Sequence, residues 1–155
     1  MNENTIPMEI TAPVTGTMSP LSDVADPAFA RGLLGPGVAI VPTEGRVLAP
    51  VAGEIVVAMP HAYGIRTAHG VEVLIHIGLD TVQLDGREFF QHVARSMSVQ
   101  AGEPLCTVDL DGVTAAGFDP TIVVVVTKSP DGTAVRVVAG DTVSHGDPLL
   151  AVSIP

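Results

Sequence analysis

The chain has 155 residues, of which 46% are apolar and 3% aromatic, with 16 glycines and 13 prolines. This composition is too apolar for a disordered chain, and glycine or proline interrupts it too often for a helical bundle. Seventeen acidic residues against seven basic ones give a net charge of −10, which excludes the basic surface that nucleic acids or anionic membranes attract. The 24 valines instead favour strands.

In chain order, residues 1–8 are expected to form a loose tail and residues 9–155 one domain. Short apolar segments separated by turn residues predict eight clear strands. Residues 89–97 fit either a helix or a strand, and residues 111–117 predict one or two helical turns. A total of nine or ten strands indicates an all-β fold, either an antiparallel β-sandwich or a flattened barrel. The eight strands are Val38–Val41, Glu54–Ala58, Tyr63–Ala68, Val71–Ile77, Leu105–Asp109, Thr121–Thr127, Thr133–Val138 and Leu149–Ile154.

The location of the protein is indicated by what the sequence lacks. Cys106 is the only cysteine, so an internal disulfide is excluded, which fits a reducing cytosol. Residues 1–10 have neither the basic residue nor the long apolar segment of a secretory signal, and Ile122–Val126 is far too short to span a membrane. We therefore expect a cytoplasmic protein without membrane insertion. The start at Met1 and the short tail favour a free-standing one.

Two histidines, His61 and His76, stand in segments that predict the two strands of one hairpin. If residues 68–69 form its tip, the two histidines face each other with Cβ atoms about 5 Å apart. If residues 69–70 form the tip, His76 faces Tyr63, and His61 lies diagonally on the same face, about 7–8 Å away. Only a one-residue slip would separate the two imidazoles.

Two imidazoles at this distance can hold a metal ion, share a proton, or act as a nucleophile and its supporting group. Leu74, Ile75 and Ile77 surround His76 with apolar side chains, and low polarity disfavours an imidazolium. A neutral His76 keeps a free lone pair, which makes it a candidate nucleophile for a phosphoryl group. His61 could then donate an N–H to the phosphoryl oxygens. The alternative is that both are ordinary core or surface histidines.

The segment around His76 carries a long and specific pattern, LIHIGLDTVQLDG at Leu74–Gly86. It resembles the signature of glucose-family enzyme IIA (EIIA), a component of the bacterial phosphoenolpyruvate:sugar phosphotransferase system. The resemblance runs from about Val14 to the C-terminus and is strongest over Pro27–Asp131. Other matching segments occur in the same order, namely Asp26–Phe29, Leu34–Ile40, Ala49–Ile55, His61–Ile65 and Val99–Leu105.

The resemblance implies an antiparallel β-sandwich that relays a phosphoryl group. No cofactor is implied, because the phosphate is carried covalently on histidine. By position, His76 resembles the phosphorylated residue of the family and His61 its partner histidine. The implied donor is the histidine phosphocarrier protein HPr, and the implied acceptor is a cysteine on the IIB domain of a sugar permease. Regulatory targets would be further partners.

Four residues are candidates for partner binding. Asp80 is expected to start a turn or to cap a short helix with Thr81, and within the site it would face a cationic partner. Apolar residues such as Phe29, Leu33 and Leu34 are usually core residues, but the resemblance implies that some of them form an exposed apolar rim around the histidines. Such a rim would dock partners and keep water from the phosphoryl group.

Two positions depart from the family pattern. Many members have a threonine two residues before the partner histidine, where this chain has Met59, so a hydroxyl that could orient His61 is missing. Many members also have an acidic residue where this chain has Pro36. One contact to an arginine of the phosphocarrier is therefore expected to be lost, which leaves Asp80 as the nearer carboxylate.

Two alternatives use the same pair of histidines. One is a zinc site, adventitious or regulatory, in which His61, His76 and one carboxylate bind the metal and leave one position open. The other is a purely regulatory binding module. No metal is required by the relay itself.

Overall fold

The computed structural model of the chain describes residues 5–155, which fold mainly into antiparallel strands. The helices of this range are α1 (Pro27–Ala30), α2 (Leu110–Ala115) and two 3₁₀-helices at Leu21–Asp23 and Thr81–Leu84. None of them is long and apolar enough to cross a membrane. The strands are β1 (Ile6–Thr11), β2 (Gly16–Pro20), β3 (Gly37–Pro42), β4 (Arg46–Leu48), β5 (Gly53–Met59), β6 (Ala62–Arg66), β7 (Glu72–Leu79), β8 (Phe89–Gln91), β9 (Ser98–Val99), β10 (Pro104–Val108), β11 (Asp119–Lys128), β12 (Ala134–Val137), β13 (Thr142–Val143) and β14 (Pro148–Ile154).

The strands form one large and two small sheets. The large sheet has eight strands in the order β13-β2-β3-β11-β7-β6-β5-β9, and the small sheets have the orders β1-β14-β12 and β4-β10-β8. Side chains from all three sheets meet in one buried cluster, for example Ile10 of β1, Leu105 of β10 and Ile75 of β7. The all-β class is therefore confirmed as a sandwich, and the sheets of the described residues do not close into a barrel.

The centre of the large sheet is buried on both faces. In β11, Ile122 and Val124 point into the main core, whereas Val123 and Val125 belong to a smaller apolar cluster on the opposite face. Burial on both sides explains why this strand is a continuous apolar run without alternation. The smaller cluster, hereafter the outer cluster, consists of Val24, Phe29, Ala39, Leu79, Val123 and Val125.

The predicted elements agree with the structure except at the short and proline-containing segments. All eight predicted strands are present with ends shifted by at most two residues, and the helical turns expected within 111–117 appear as α2. Segment 89–97 contains strand β8 and no helix. The expected nine or ten strands are too few, because residues 5–155 contain fourteen. The expected tail is too long, since Ile6–Met8 pair with β14 as part of β1; residues 1–4 lie outside the described residues.

Candidate functional site

His76 lies in the middle of the large sheet. On β7 its backbone faces Ala62 of β6 on one side and Val123 of β11 on the other. Its neighbours along the strand, Ile75 and Ile77, point into the main core. The alternation of a strand therefore turns the His76 side chain to the opposite face, toward the outer cluster, where it is half-buried.

The hairpin between β6 and β7 has a different tip from either predicted one. Residues 68–70 form a three-residue loop, closed by the Gly70 N–H, which donates to the Thr67 carbonyl at 3.1 Å. Gly70 has a φ of +78°, as expected for the left-handed residue that ends such a loop. The odd loop length shifts the register by one residue, so His76 faces Ala62 and neither of the predicted partners.

The two imidazoles nevertheless lie together, with ring centroids 5.2 Å apart and ring planes at 79°. His61 is the second residue of the two-residue turn between β5 and β6, because Met59 pairs with Ala62 across that turn. The His61 carbonyl accepts a hydrogen bond from the Ile77 N–H of β7 at 2.7 Å. A turn residue is free of strand alternation, so the His61 side chain still reaches the ring of His76. The one-residue slip is therefore present, but the expectation that it would separate the pair is wrong.

A hydrogen bond fixes the tautomer of His76. Its Nδ1 lies 2.8 Å from the Gly78 carbonyl oxygen, which can only accept, so Nδ1 carries the proton. The neutral ring then has its free lone pair on Nε2. Gly78 has a φ of +80°, and a Cβ at this position would collide with the Thr81 side chain, so only glycine fits here.

Burial disfavours the charged form of both imidazoles. It is the largest effect on His76, whose pKa lies below the usual 6.5 even though the Gly78 carbonyl and the carboxylates of Asp26 and Asp80 oppose the decrease. The pKa of His61 is also lowered, first by burial and then by the charge that His76 carries when protonated. At neutral pH, His61 therefore has one N–H donor and His76 has one nucleophilic nitrogen.

Asp26 is a charged neighbour of His76 to which the sequence motifs assign no role. Its Oδ1 accepts the Ala28 N–H at 2.9 Å and so caps α1, which begins with Pro27. The Asp-Pro pair is a recognisable signal for the start of a helix. Its closeness to His76 depends on the folding of α1 over the large sheet, which the sequence does not indicate.

Asp80 occupies the N-cap position of the 3₁₀-helix Thr81–Leu84 with a φ of 60°. The predicted turn is therefore present, but the side chain of Asp80 makes no capping hydrogen bond. Its carboxylate is exposed and contributes to the electrostatic environment of His76. This leaves the charge accessible to a partner.

Two of the three candidate rim residues are exposed. Leu33 and Leu34, which follow α1, are 72% and 39% exposed. Phe29 is only 3% exposed, and its ring packs edge-on against His76 with ring centroids 5.2 Å apart. Phe29 therefore does not belong to an exposed rim. Helix α1 turns Phe29 toward the sheet, where it joins the outer cluster and covers part of the His76 ring.

A metal site is not supported. Among residues 5–155, no group of three or more His, Cys, Asp or Glu side chains could hold a metal ion. The zinc site suggested by His61 and His76 thus lacks the third ligand that it needs. The remaining histidines, His69, His92 and His145, are exposed.

Comparison with known proteins identifies the relatives of this chain. The family model of the phosphoenolpyruvate-dependent sugar phosphotransferase system, EIIA 1, matches residues 8–132. The chain is 39% identical to the glucose-specific EIIA component of Bacillus anthracis over 94% of its own length and 87% of that protein. It is 38% identical to the solved structure of glucose permease IIA from Mycoplasma capricolum, with a TM-score of 0.89 and coverage of 97% of this chain and 99% of that one.

Some relatives are much longer. The chain is 41% identical to the beta-glucoside-specific EIIBCA component of Halalkalibacterium halodurans over 94% of its length, but it spans only 23% of that protein. In such relatives the matching region is thus one part of a multidomain chain.

Proposed function

Because the chain belongs to the EIIA 1 family of the phosphoenolpyruvate-dependent sugar phosphotransferase system, we propose that it relays a phosphoryl group through His76. The general role in sugar phosphotransfer follows from the family. The relay begins with HPr as donor and ends on a cysteine of the IIB domain of a sugar permease. It takes place in the cytoplasm and requires no cofactor, since the phosphoryl group is bound covalently. Residues 9–155 act as one relay domain, extended by the first residues of β1.

The chemistry of the first step is a direct exchange of bonds to phosphorus. The Nε2 lone pair of His76 attacks the phosphorus of phospho-HPr as the bond from phosphorus to the donor histidine breaks, and the electron pair returns to that donor. His76 keeps its Nδ1 proton, bonded to the Gly78 carbonyl. In the second step the cysteine thiolate of the IIB domain attacks the phosphorus, and Nε2 leaves with its lone pair restored.

The groups around Nε2 support this exchange. His61 is close enough for its N–H to reach the oxygens of a phosphoryl group on His76, and it remains neutral because its pKa is lowered. Such a donor stabilises the charge that shifts onto the oxygens during transfer. Phe29 covers part of the His76 ring and limits the access of water, which would otherwise hydrolyse the phosphohistidine.

The surface beside the site suits two successive partners. The carboxylates of Asp26 and Asp80 lie near His76 and attract a cationic partner such as HPr. Leu33 and Leu34, which follow α1 in the chain, provide exposed apolar contact area. Partner docking of this kind is brief and uses a small interface.

One observation carries the proposal: the hydrogen bond from Nδ1 of the half-buried His76 to Gly78 leaves Nε2 unprotonated beside the His61 ring. The test is incubation of the protein with enzyme I, HPr and phosphoenolpyruvate. We expect one equivalent of acid-labile phosphate on the wild type and none on His76→Ala. Stoichiometric phosphate on the variant, or none on the wild type, would contradict the proposal.

The contacts of residues 5–155 give no support to the zinc-binding alternative, and none of them favours a purely regulatory module.

A further inference from the structure

Two buried hydrogen-bond donors hold the turn that carries His61. The Tyr63 hydroxyl donates to the Pro60 carbonyl at 3.2 Å, and the Cys106 thiol donates to the same carbonyl with an Sγ–O distance of 3.7 Å. Both Tyr63 and Cys106 are fully buried. Tyr63 belongs to β6 of the large sheet and Cys106 to β10 of a small sheet, so the two layers of the sandwich meet at this carbonyl.

This turn has little stability of its own. The two-residue turns that fit the twist of a hairpin require a positive φ at their first residue, and proline at that position cannot adopt it. Neither Pro60 nor His61 has a positive φ. Turns of the remaining types splay the strands that they join, so the conformation between β5 and β6 depends on contacts from outside the turn.

The contacts fix the backbone of His61 on both sides. The peptide group before His61 is held through the Pro60 carbonyl by Tyr63 and Cys106. The peptide group after His61 is held through its own carbonyl, which accepts the Ile77 N–H at 2.7 Å. With both peptide planes fixed, the φ and ψ angles of His61 are fixed, and so is the direction in which its Cβ leaves the backbone.

We propose that Tyr63, assisted by Cys106, is a positioning residue that aims the His61 imidazole at the phosphoryl site on His76. Met59, which precedes the turn, has no hydroxyl with which to orient His61, and the two buried donors do this through the backbone. This inference rests on the proposed phosphoryl relay, since it assigns Tyr63 a role in that reaction. Its consequence is that removing one buried oxygen, at a residue with no contact to the phosphoryl group, slows transfer.

Both donors keep their protons. Burial raises the pKa of the Tyr63 phenol and that of the Cys106 thiol, so each remains an O–H or S–H donor at the neutral pH of an assay. They are also the only tyrosine and the only cysteine of the chain, so either group can be followed by spectroscopy or thiol chemistry without ambiguity.

The direct test is Tyr63→Phe, which removes the hydroxyl and keeps the buried ring. We expect uptake from phospho-HPr to change little and transfer to the IIB domain to slow by about tenfold, because small misplacements of a catalytic group are costly. The matched control is Thr67→Val, just beyond the other end of β6, which removes a buried acceptor of the Val71 N–H without touching the turn. It should transfer at the wild-type rate.

Two further measurements separate positioning from a general loss of structure. In a His61→Gln background, Tyr63→Phe should cause no additional slowing, because it acts through His61. In the unphosphorylated protein, Tyr63→Phe should weaken the NOE between the rings of His61 and His76, whereas Thr67→Val should preserve it. Cys106→Ala should act in the same direction as Tyr63→Phe but less strongly, since a thiol is a weaker donor.

The outcomes distinguish this inference from the relay itself. If the wild type accepts no phosphate, the proposed function fails. If the wild type relays normally and Tyr63→Phe transfers at the same rate, the positioning role is overturned and the relay stands. The same conclusion follows if Tyr63→Phe slows transfer by the same factor in the His61→Gln background as in the wild type. An unchanged ring NOE in Tyr63→Phe would overturn it as well.

Discussion

The carbonyl oxygen of Gly78 lies 2.8 Å from Nδ1 of His76, two residues before it on the same strand. This short-range contact decides which nitrogen of the imidazole is nucleophilic, because it places the single N–H proton of the neutral ring on Nδ1 and leaves the lone pair on Nε2. The residue that provides this carbonyl, Gly78, has a positive φ, a backbone conformation that favours glycine. The backbone conformation of Gly78 is thereby linked to the reactivity of the His76 imidazole.

Gly78→Ala should therefore damage both stability and reactivity. An added Cβ would have to occupy a left-handed conformation and would collide with the Thr81 side chain. We expect a loss in the free energy of unfolding of about 2–4 kcal/mol by urea titration, together with slower phosphate uptake. Gly70→Ala is the matched control, because its φ is also positive but nothing lies within 4 Å of the added Cβ. It should lose only about 1–2 kcal/mol and retain activity. Equal losses in the two variants would show that the collision is unimportant.

The stability of the protein should decrease as the pH falls below neutral. The pKa values of His61 and His76 are both lowered in the folded state, so below the unfolded value of 6.5 the unfolded chain binds protons that the folded chain does not. The free energy of unfolding should thus decrease between about pH 7 and about pH 5, before most carboxylates titrate. The double variant His61→Gln/His76→Gln should lose much of this slope in urea titrations. An unchanged slope would mean that other groups cause it.

Neutralising the carboxylates near His76 should slow the encounter with HPr. Asp80→Asn and Asp26→Asn each remove one charge, and asparagine at position 26 can still cap α1. We expect phosphate uptake to slow by about tenfold or less, and more at low than at high ionic strength, because exposed charges act through screened attraction. Quench-flow rates at two salt concentrations measure this effect. Glu54→Gln, at the opposite end of the β5–β6 pair, is the charge-matched control and should have no effect. A loss independent of salt would indicate that the carboxylates act on the imidazole itself.

His61→Gln should separate the two halves of the relay. Glutamine keeps an N–H donor of similar reach, so the variant should still accept phosphate on His76. Transfer to the IIB cysteine should slow by about a hundredfold, because the flexible glutamine amide is not held where the imidazole N–H lies, and losing a well-placed donor at a transferring group usually costs this much. His69→Gln makes the same substitution at the exposed hairpin tip and should transfer normally. If His61→Gln also transfers at the wild-type rate, His61 has only a structural role.

The five adjoining central strands of the large sheet, β3, β11, β7, β6 and β5, were predictable because they are mostly apolar segments with glycines near their ends. β1 and β2 were not, since Pro7 and Pro20 within them are unfavourable to pairing, and β1 can carry its proline only as an edge strand. The strands β9 and β13, with two residues each, are too short to show alternation.

The site was predictable as a pair of histidines but not in its geometry. A glycine at position 70 is compatible with several loop lengths. The sequence therefore left the pairing of β6 with β7 uncertain by one residue, and in the structure His76 faces Ala62. The burial of Phe29 and the approach of Asp26 depend on the packing of α1 against a strand some 50 residues later, and no local pattern reports such a contact. The resemblance to a family implied roles for these residues, and the fold shows how their side chains are oriented.

The most direct test of the account is the position of the phosphoryl group on the ring. Protein labelled with ¹⁵N at histidine is phosphorylated with enzyme I, HPr and phosphoenolpyruvate, and long-range ¹H–¹⁵N spectra then identify the nitrogen that carries phosphorus. We expect a single phosphohistidine at Nε2 of His76, with Nδ1 still protonated because it donates to the Gly78 carbonyl. Phosphate on Nδ1 of His76, or on any of the other four histidines, would contradict it.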